Sequence, residues 1–181
     1  MNISPKSSLI DVCFAVCTVL DRAGTKAVLT GGSAATYYAP HRYQSLDADF
    51  VIVMSLDTDS ARAALSHLGF TEAGGIYSHS QSRYTLEFPP GPLAVGAEVI
   101  RNYDTVKRKS EILYILSRTD SVCDRLAGFY HWADRSALRT AINIAFGGQI
   151  DLARIKRWSA AERSTEKFQQ FLKLFETQSE K

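Results

Sequence analysis

Apolar residues return at helical spacing at Leu9, Ile10, Val12, Cys13, Val16, Cys17, Val19 and Leu20. Ser8, followed three residues later by Asp11, has the form of a capping box, so the pattern predicts a first helix that Gly24 closes. A short apolar run, Ala27, Val28 and Leu29, then ends at Gly31 and Gly32. That is how a buried strand running into a tight turn reads. A short helix over 33–38 follows, and Pro40 stops it. Residues 46–54 read as a second strand, β-branched and apolar except at Asp47 and Asp49. Asp59 or Ser60 can cap a third helix carrying Ala61, Ala64, Leu65 and Leu68 on one face, with Gly69 at its end.

From 70 to 103 the pattern changes to short strand-like pieces around Ile76, 84–88 and 98–100, separated by Gly and Pro turns. These favour antiparallel pairing. After the basic stretch Lys107-Arg108-Lys109 a brief apolar run over 112–116 leads into helical patterns only. Asp120 or Ser121, Asp134 and Asp151 stand where each of these helices can be capped. Their apolar faces are Val122, Leu126, Phe129 and Tyr130, then Leu138, Ala141, Ile142 and Ala145, and last Phe168, Phe171, Leu172 and Phe175. The expected class is α/β (α+β), with a sheet core over 1–117 and a helical part over 118–181, no linker between them, and no internal repeat.

Composition narrows this picture only slightly. The 181 residues are 45% hydrophobic and 22% charged, an ordinary globular balance, with a formal charge of +2. So mild a charge does not by itself argue for nucleic-acid binding. Three cysteines, Cys13, Cys17 and Cys123, fall in apolar stretches and suggest buried thiols in a reducing cytoplasm. No run reaches the ~18 apolar residues that cross a bilayer, so no membrane association is expected.

The chemistry begins with the break in the second strand. Residues i and i+2 of a strand share a face with backbones roughly 7 Å apart, so Asp47 and Asp49 present two carboxylates side by side. Inside an apolar strand such a pair calls for a cation, and a hard ion such as magnesium suits carboxylate and phosphate oxygens together. A strand end at a wet sheet rim would account for the pair equally well. Upstream, Gly31-Gly32-Ser33 lies between strand and helix, where free amides and the helix dipole favour an anion. No Lys-Ser or Lys-Thr follows, so this is not a Walker loop.

Taken together, Gly31-Gly32-Ser33, a short helix and Ser45-Leu46-Asp47-Ala48-Asp49-Phe50 resemble the signature of the DNA polymerase β-like nucleotidyltransferase superfamily. Residues 119–135 are similar to segments in small prokaryotic members, including AbiEii-like, toxin-antitoxin-associated proteins. The resemblance implies a mixed sheet flanked by helices. It also implies magnesium, or manganese in its place, held by Asp47 and Asp49, and a nucleoside triphosphate held by Gly31, Gly32 and Ser33. The implied reaction moves a nucleotide to a hydroxyl or phosphate of an acceptor, either RNA such as tRNA or a protein, and releases pyrophosphate.

The superfamily adds a third carboxylate from a later strand, often aspartate. Glu87, flanked by apolar residues before a turn, is the candidate here, and Glu98 is its rival. Arg42, in the loop before the acidic strand, and Arg125, on the first C-terminal helix, could meet the triphosphate, or each could form a surface ion pair, with Asp124 or Asp134 as the possible partner. His41 and His131 read as structural. Tyr37, Tyr38, Tyr43 and Trp132 could stack a base but fit core positions better, and residues 154–157 read as a solvated helix face. Two rival functions share the fold: an inactive binding module or antitoxin-type partner of a cognate protein, and an RNA-binding module.

Overall fold

The computed structural model describes residues 2–179. The chain runs α1 (Leu9–Arg22), β1 (Thr25–Leu29), α2 (Gly31–Tyr38), β2 (Asp47–Ser55), α3 (Thr58–His67), β3 (Phe70–Ala73), β4 (Ile76–His79) and β5 (Thr85–Glu87). It continues with β6 (Ala94–Val95), β7 (Glu98–Val99), β8 (Asp104–Arg108), β9 (Glu111–Ile115), α4 (Arg118–Trp132), α5 (Arg135–Phe146), α6 (Leu152–Ala161) and α7 (Thr165–Ser179). Seven strands form one mixed sheet in the order β3-β4-β5-β2-β1-β9-β8, and β6 and β7 form a separate small hairpin.

Local signals explain most of the starts and stops. The Ser8–Asp11 capping box is formed at α1, with the Ser8 amide donating to Asp11 Oδ2 at 3.0 Å and the Asp11 amide donating to Ser8 Oγ at 3.2 Å. Asp134 and Asp151 cap α5 and α6 as expected. Two other caps fall earlier than predicted. Asp57, not Asp59 or Ser60, caps α3, and Ser117, not Asp120 or Ser121, caps α4. Both segments carry several cap-competent residues in a row, and the extended backbone before the helix selects the first of them.

β2 sits at the centre of the sheet. It pairs antiparallel with β1, Leu29 opposite Phe50, and parallel with β5, Asp49 opposite Glu87. The antiparallel expectation for 70–103 holds for the hairpins β3–β4, β4–β5 and β6–β7. It fails for β5 against β2, because the long excursion through α3 and two strands brings β5 back in the same direction. Helix α1 lies on β1 and β9, α2 lies against β2 and α4, and the antiparallel pair α4 and α5 is joined by α6 and α7.

A single buried cluster links these layers, running from Leu29, Phe50, Leu86 and Ile115 in the strands to Leu126, Ile144 and Phe171 in the helices. Phe50 is fully buried at the middle of it, a position where truncation to alanine costs roughly 3–5 kcal/mol. The three cysteines are buried and unbridged. Among the described residues no helix is long and apolar enough to cross a membrane.

Two surface expectations change. Arg154 is not on a solvated face: it pairs with Glu98 at 3.0 Å and with Asp120, tying α6 to the β6–β7 hairpin and to α4. Trp132, expected to fit the core, is 77% exposed, because α4 runs past the core before it ends. Tyr37, Tyr38 and Tyr43 do pack against the core as partly buried rings.

Candidate active site

Strand alternation builds the acidic face. Ala48 and Phe50 are fully buried, so Asp47 and Asp49 project from the opposite side of β2, where both are half-buried. The parallel register sets Thr85 beside Asp47 and Glu87 beside Asp49, while Leu86 pairs with Ala48 on the core side. Three carboxylates thus share one face of two neighbouring strands. Glu98 lies elsewhere, bound to Arg154 on the small hairpin.

The Asp49 carboxyl is pushed up to about 6, first by burial and then by the negative charges of Asp47 and Glu87, with Arg125 acting in the opposite direction. Asp47 is held by a hydrogen bond from the hydroxyl of Ser45, in the loop just before β2. Among the described residues no three His, Cys, Asp or Glu side chains already form a metal-holding group. The acids are close enough to repel and do not yet converge. All-oxygen donors whose mutual repulsion a cation would relieve fit magnesium or manganese, and Asp47, Asp49 and Glu87 are the residues that would hold it.

The start of α2 is fitted onto this face. Gly31 has φ +60°, and a Cβ there would lie 2.5 Å from Asp49 Oδ2, so only glycine lets the helix begin against that carboxylate. A Cβ on Gly32 would lie 2.8 Å from Ser45 Oγ and 2.9 Å from Tyr43 Oη. The N-cap residue, Thr30, makes no side-chain capping bond, and the first turn carries no acid. Its amide end remains suited to an anion.

Ser33 is placed differently from the expected phosphate donor. It is fully buried; its hydroxyl donates to the Thr30 carbonyl at 2.8 Å and accepts from the Asp49 amide at 3.3 Å. Together with the Thr30 amide, which donates to the Asp49 carbonyl at 2.9 Å, it fixes the acidic strand to the turn. The side chain faces inward because it stands one residue past the glycines, on the side of α2 that meets β2.

Of the two arginines, Arg125 is drawn to the site and Arg42 lies on the exposed turn after α2. The Arg125 Nη2 and Nε donate to one oxygen of Asp124 at 2.6 and 3.1 Å, and its charge is felt by Asp49. Asp124 is thus the ion-pair partner that the sequence offered for Arg125, while Ser45 and the Tyr43 hydroxyl, which lie beside Gly32, were given no place at the phosphate turn. His131 has the structural role expected of it, bound to Glu162 at 3.0 Å, and His41 is exposed.

No protein-family profile matches the chain, and no curated protein matches it. Among solved structures it is similar to an antigenic nucleotidyltransferase-like protein from Paracoccidioides brasiliensis. The TM-score is 0.59 at 15% identity, over 78% of this chain and 77% of that one. With the mixed sheet and flanking helices, this gives the chain a nucleotidyltransferase-like fold.

Proposed function

We propose that the chain is a metal-dependent nucleotidyltransferase of the small prokaryotic, AbiEii-like type, moving a nucleotide from a nucleoside triphosphate to a hydroxyl or phosphate acceptor. The observation that carries this reading is the placing of three carboxylates, Asp47, Asp49 and Glu87, on one face of β2 and β5, beside the uncapped start of α2 and within the field of Arg125. A structural cluster gains nothing from such an arrangement, since the raised Asp49 carboxyl marks an unfavourable charge at neutral pH.

A divalent ion bound by these acids would neutralise their repulsion and the charge of the phosphates. Arg125, held by Asp124, offers its remaining donors to the triphosphate, and Arg42 reaches it from the exposed turn. The amide end of α2 at Gly31 and Gly32 receives phosphate oxygens, while Ser33 keeps the turn in register with Asp49. Glu87 orients the acceptor and takes its proton. The acceptor oxygen then bonds to the α-phosphorus as the bond from that phosphorus to the bridging oxygen breaks, and pyrophosphate leaves in line.

Calorimetric titration with each triphosphate tests the first half of this reading. Binding should be strong with magnesium, weaken sharply when the ion is chelated, and fail in Asp47→Asn. Equal affinity with and without the ion would refute the metal-bridged site. Metal-dependent binding without transfer to any acceptor would make the chain a binding module instead.

A further inference from the structure

The loop that follows α2 doubles back along it. The Arg42 and Tyr43 amides both donate to the Ala39 carbonyl at 3.0 Å, which turns the chain at the end of the helix. Thr36 ties the return: its hydroxyl donates to the Gly32 carbonyl at 3.1 Å and accepts from the Ser45 amide at 2.9 Å. The Tyr43 ring packs against the core, and its hydroxyl ends beside Gly32, where a Cβ would lie 2.9 Å from the oxygen. Because the Cα–Cβ bonds of a helix tilt toward its N-terminus, that oxygen stands at the amide end of α2. One residue earlier, a Cβ on Gly31 would lie 2.5 Å from Asp49 Oδ2. The two glycines therefore bring the first turn of α2 against both the acidic face and a phenol.

The other hydroxyls at this turn are engaged within the protein. Ser33 donates to the Thr30 carbonyl at 2.8 Å, Thr30 to the Asp49 carbonyl at 3.3 Å, and Ser45 to Asp47. The Tyr43 hydroxyl has no hydrogen-bond partner among the described residues. It is open to solvent, since no side-chain oxygen of those residues is both buried and without a partner. Burial works against the charge of Arg125, and Asp124, followed by Tyr43 and Asp49, holds its pKa above the ordinary arginine range. The phenol, the guanidinium and the Asp49 carboxylate thus gather at the start of α2.

We infer that Tyr43 takes the place expected of Ser33, its hydroxyl donating the side-chain hydrogen bond to a phosphate oxygen of the bound triphosphate. A phenol has one proton to give, and nothing in the described protein accepts it here. An anionic phosphate oxygen is the acceptor that the amide end of α2 and the neighbouring guanidinium both favour. The ring is packed against the core, so Tyr43 contributes its hydroxyl and not a stacking face. The identity of the ligand rests on the triphosphate reading above; the placing of the hydroxyl at the turn does not.

Tyr43→Phe keeps the ring and removes only the hydroxyl. Calorimetric titration, well below the melting temperature of either protein, compares this variant with the parent for two ligands in magnesium: the nucleoside triphosphate that the parent binds, and inorganic tripolyphosphate. Loss of one hydrogen bond to a charged group should weaken both ligands roughly 10- to 150-fold. The melting temperature should stay within a few degrees of the parent, and Ser33→Ala should weaken binding less. Unchanged affinity of Tyr43→Phe for both ligands overturns the inference and leaves the triphosphate site standing. A loss confined to the nucleotide also overturns it, because the hydroxyl would then meet the sugar or the base. If the parent binds neither ligand, the triphosphate reading falls and the inference falls with it. A loss in Tyr43→Phe without any in Asp47→Asn would uphold the hydroxyl contact and remove the metal from the site.

Discussion

Replacing Asp49 by asparagine should stabilise the protein at neutral and alkaline pH, and the same change should abolish the proposed transfer. In the folded chain the Asp49 carboxyl holds its proton to about pH 6, against 3.8 ordinarily. The folded state therefore binds more protons than the unfolded state between those values, and stability falls as pH rises through this window. Below about pH 4 both states are protonated and no penalty exists; above about 6 it is complete. Two pKa units correspond to about 3 kcal/mol, and partial exposure of the carboxylate lowers this to roughly 1–3 kcal/mol. For a chain of this length that is a rise in Tm of about 2–10 °C for Asp49→Asn. Thermal unfolding followed by circular dichroism at pH 4 and pH 8, in low salt and without divalent ions, measures it. The variant should exceed the parent at pH 8 and approach it at pH 4. A variant no more stable at pH 8, or offset by the same amount at both pH values, would show that Asp49 is not electrostatically strained.

Other substitutions separate scaffold from chemistry. Gly31→Ala places a methyl against the Asp49 carboxylate at a left-handed φ and should cost about 1–3 kcal/mol in denaturant unfolding while weakening triphosphate binding. Ser33→Ala leaves the Asp49 amide without its acceptor and should cost about 1–3 kcal/mol of stability, with a smaller effect on binding once folded; a large binding loss at unchanged stability would restore a direct phosphate role. Glu87→Gln should lower transfer by roughly two to four powers of ten with little change in Tm. Glu98→Gln loses only its partly exposed pair with Arg154 and should change stability by about 0–1 kcal/mol with transfer retained; the reverse pattern would mean that the acid is supplied by the hairpin instead.

The acidic face was legible because a strand has a period of two. Asp47 and Asp49 interrupt an apolar run, and Glu87 stands in another, so both the face and the neighbouring strand could be read from spacing. The direction of β5 could not, since nothing local in 84–88 distinguishes a parallel partner from an antiparallel one. Ser33 was misplaced for a related reason: a hydroxyl after two glycines looks like a donor to ligand until packing shows which side of α2 meets β2. Arg154 meets Glu98 and Asp120, 56 and 34 residues away in sequence, and no helical periodicity reports such a contact. Trp132 stands off the Leu126–Tyr130 face of α4 and is exposed, a placing that its aromatic character alone does not report.

The carboxylate face is proposed to transfer a nucleotide. Incubating the protein with magnesium, each triphosphate labelled at its α-phosphate, and cellular RNA or protein tests it most directly. Label should enter one acceptor pool with release of pyrophosphate, and Asp47→Asn or Asp49→Asn should prevent this while the protein stays folded. Label in no pool from any triphosphate, or transfer that survives loss of both aspartates, would show that this face is not a nucleotide-transfer site.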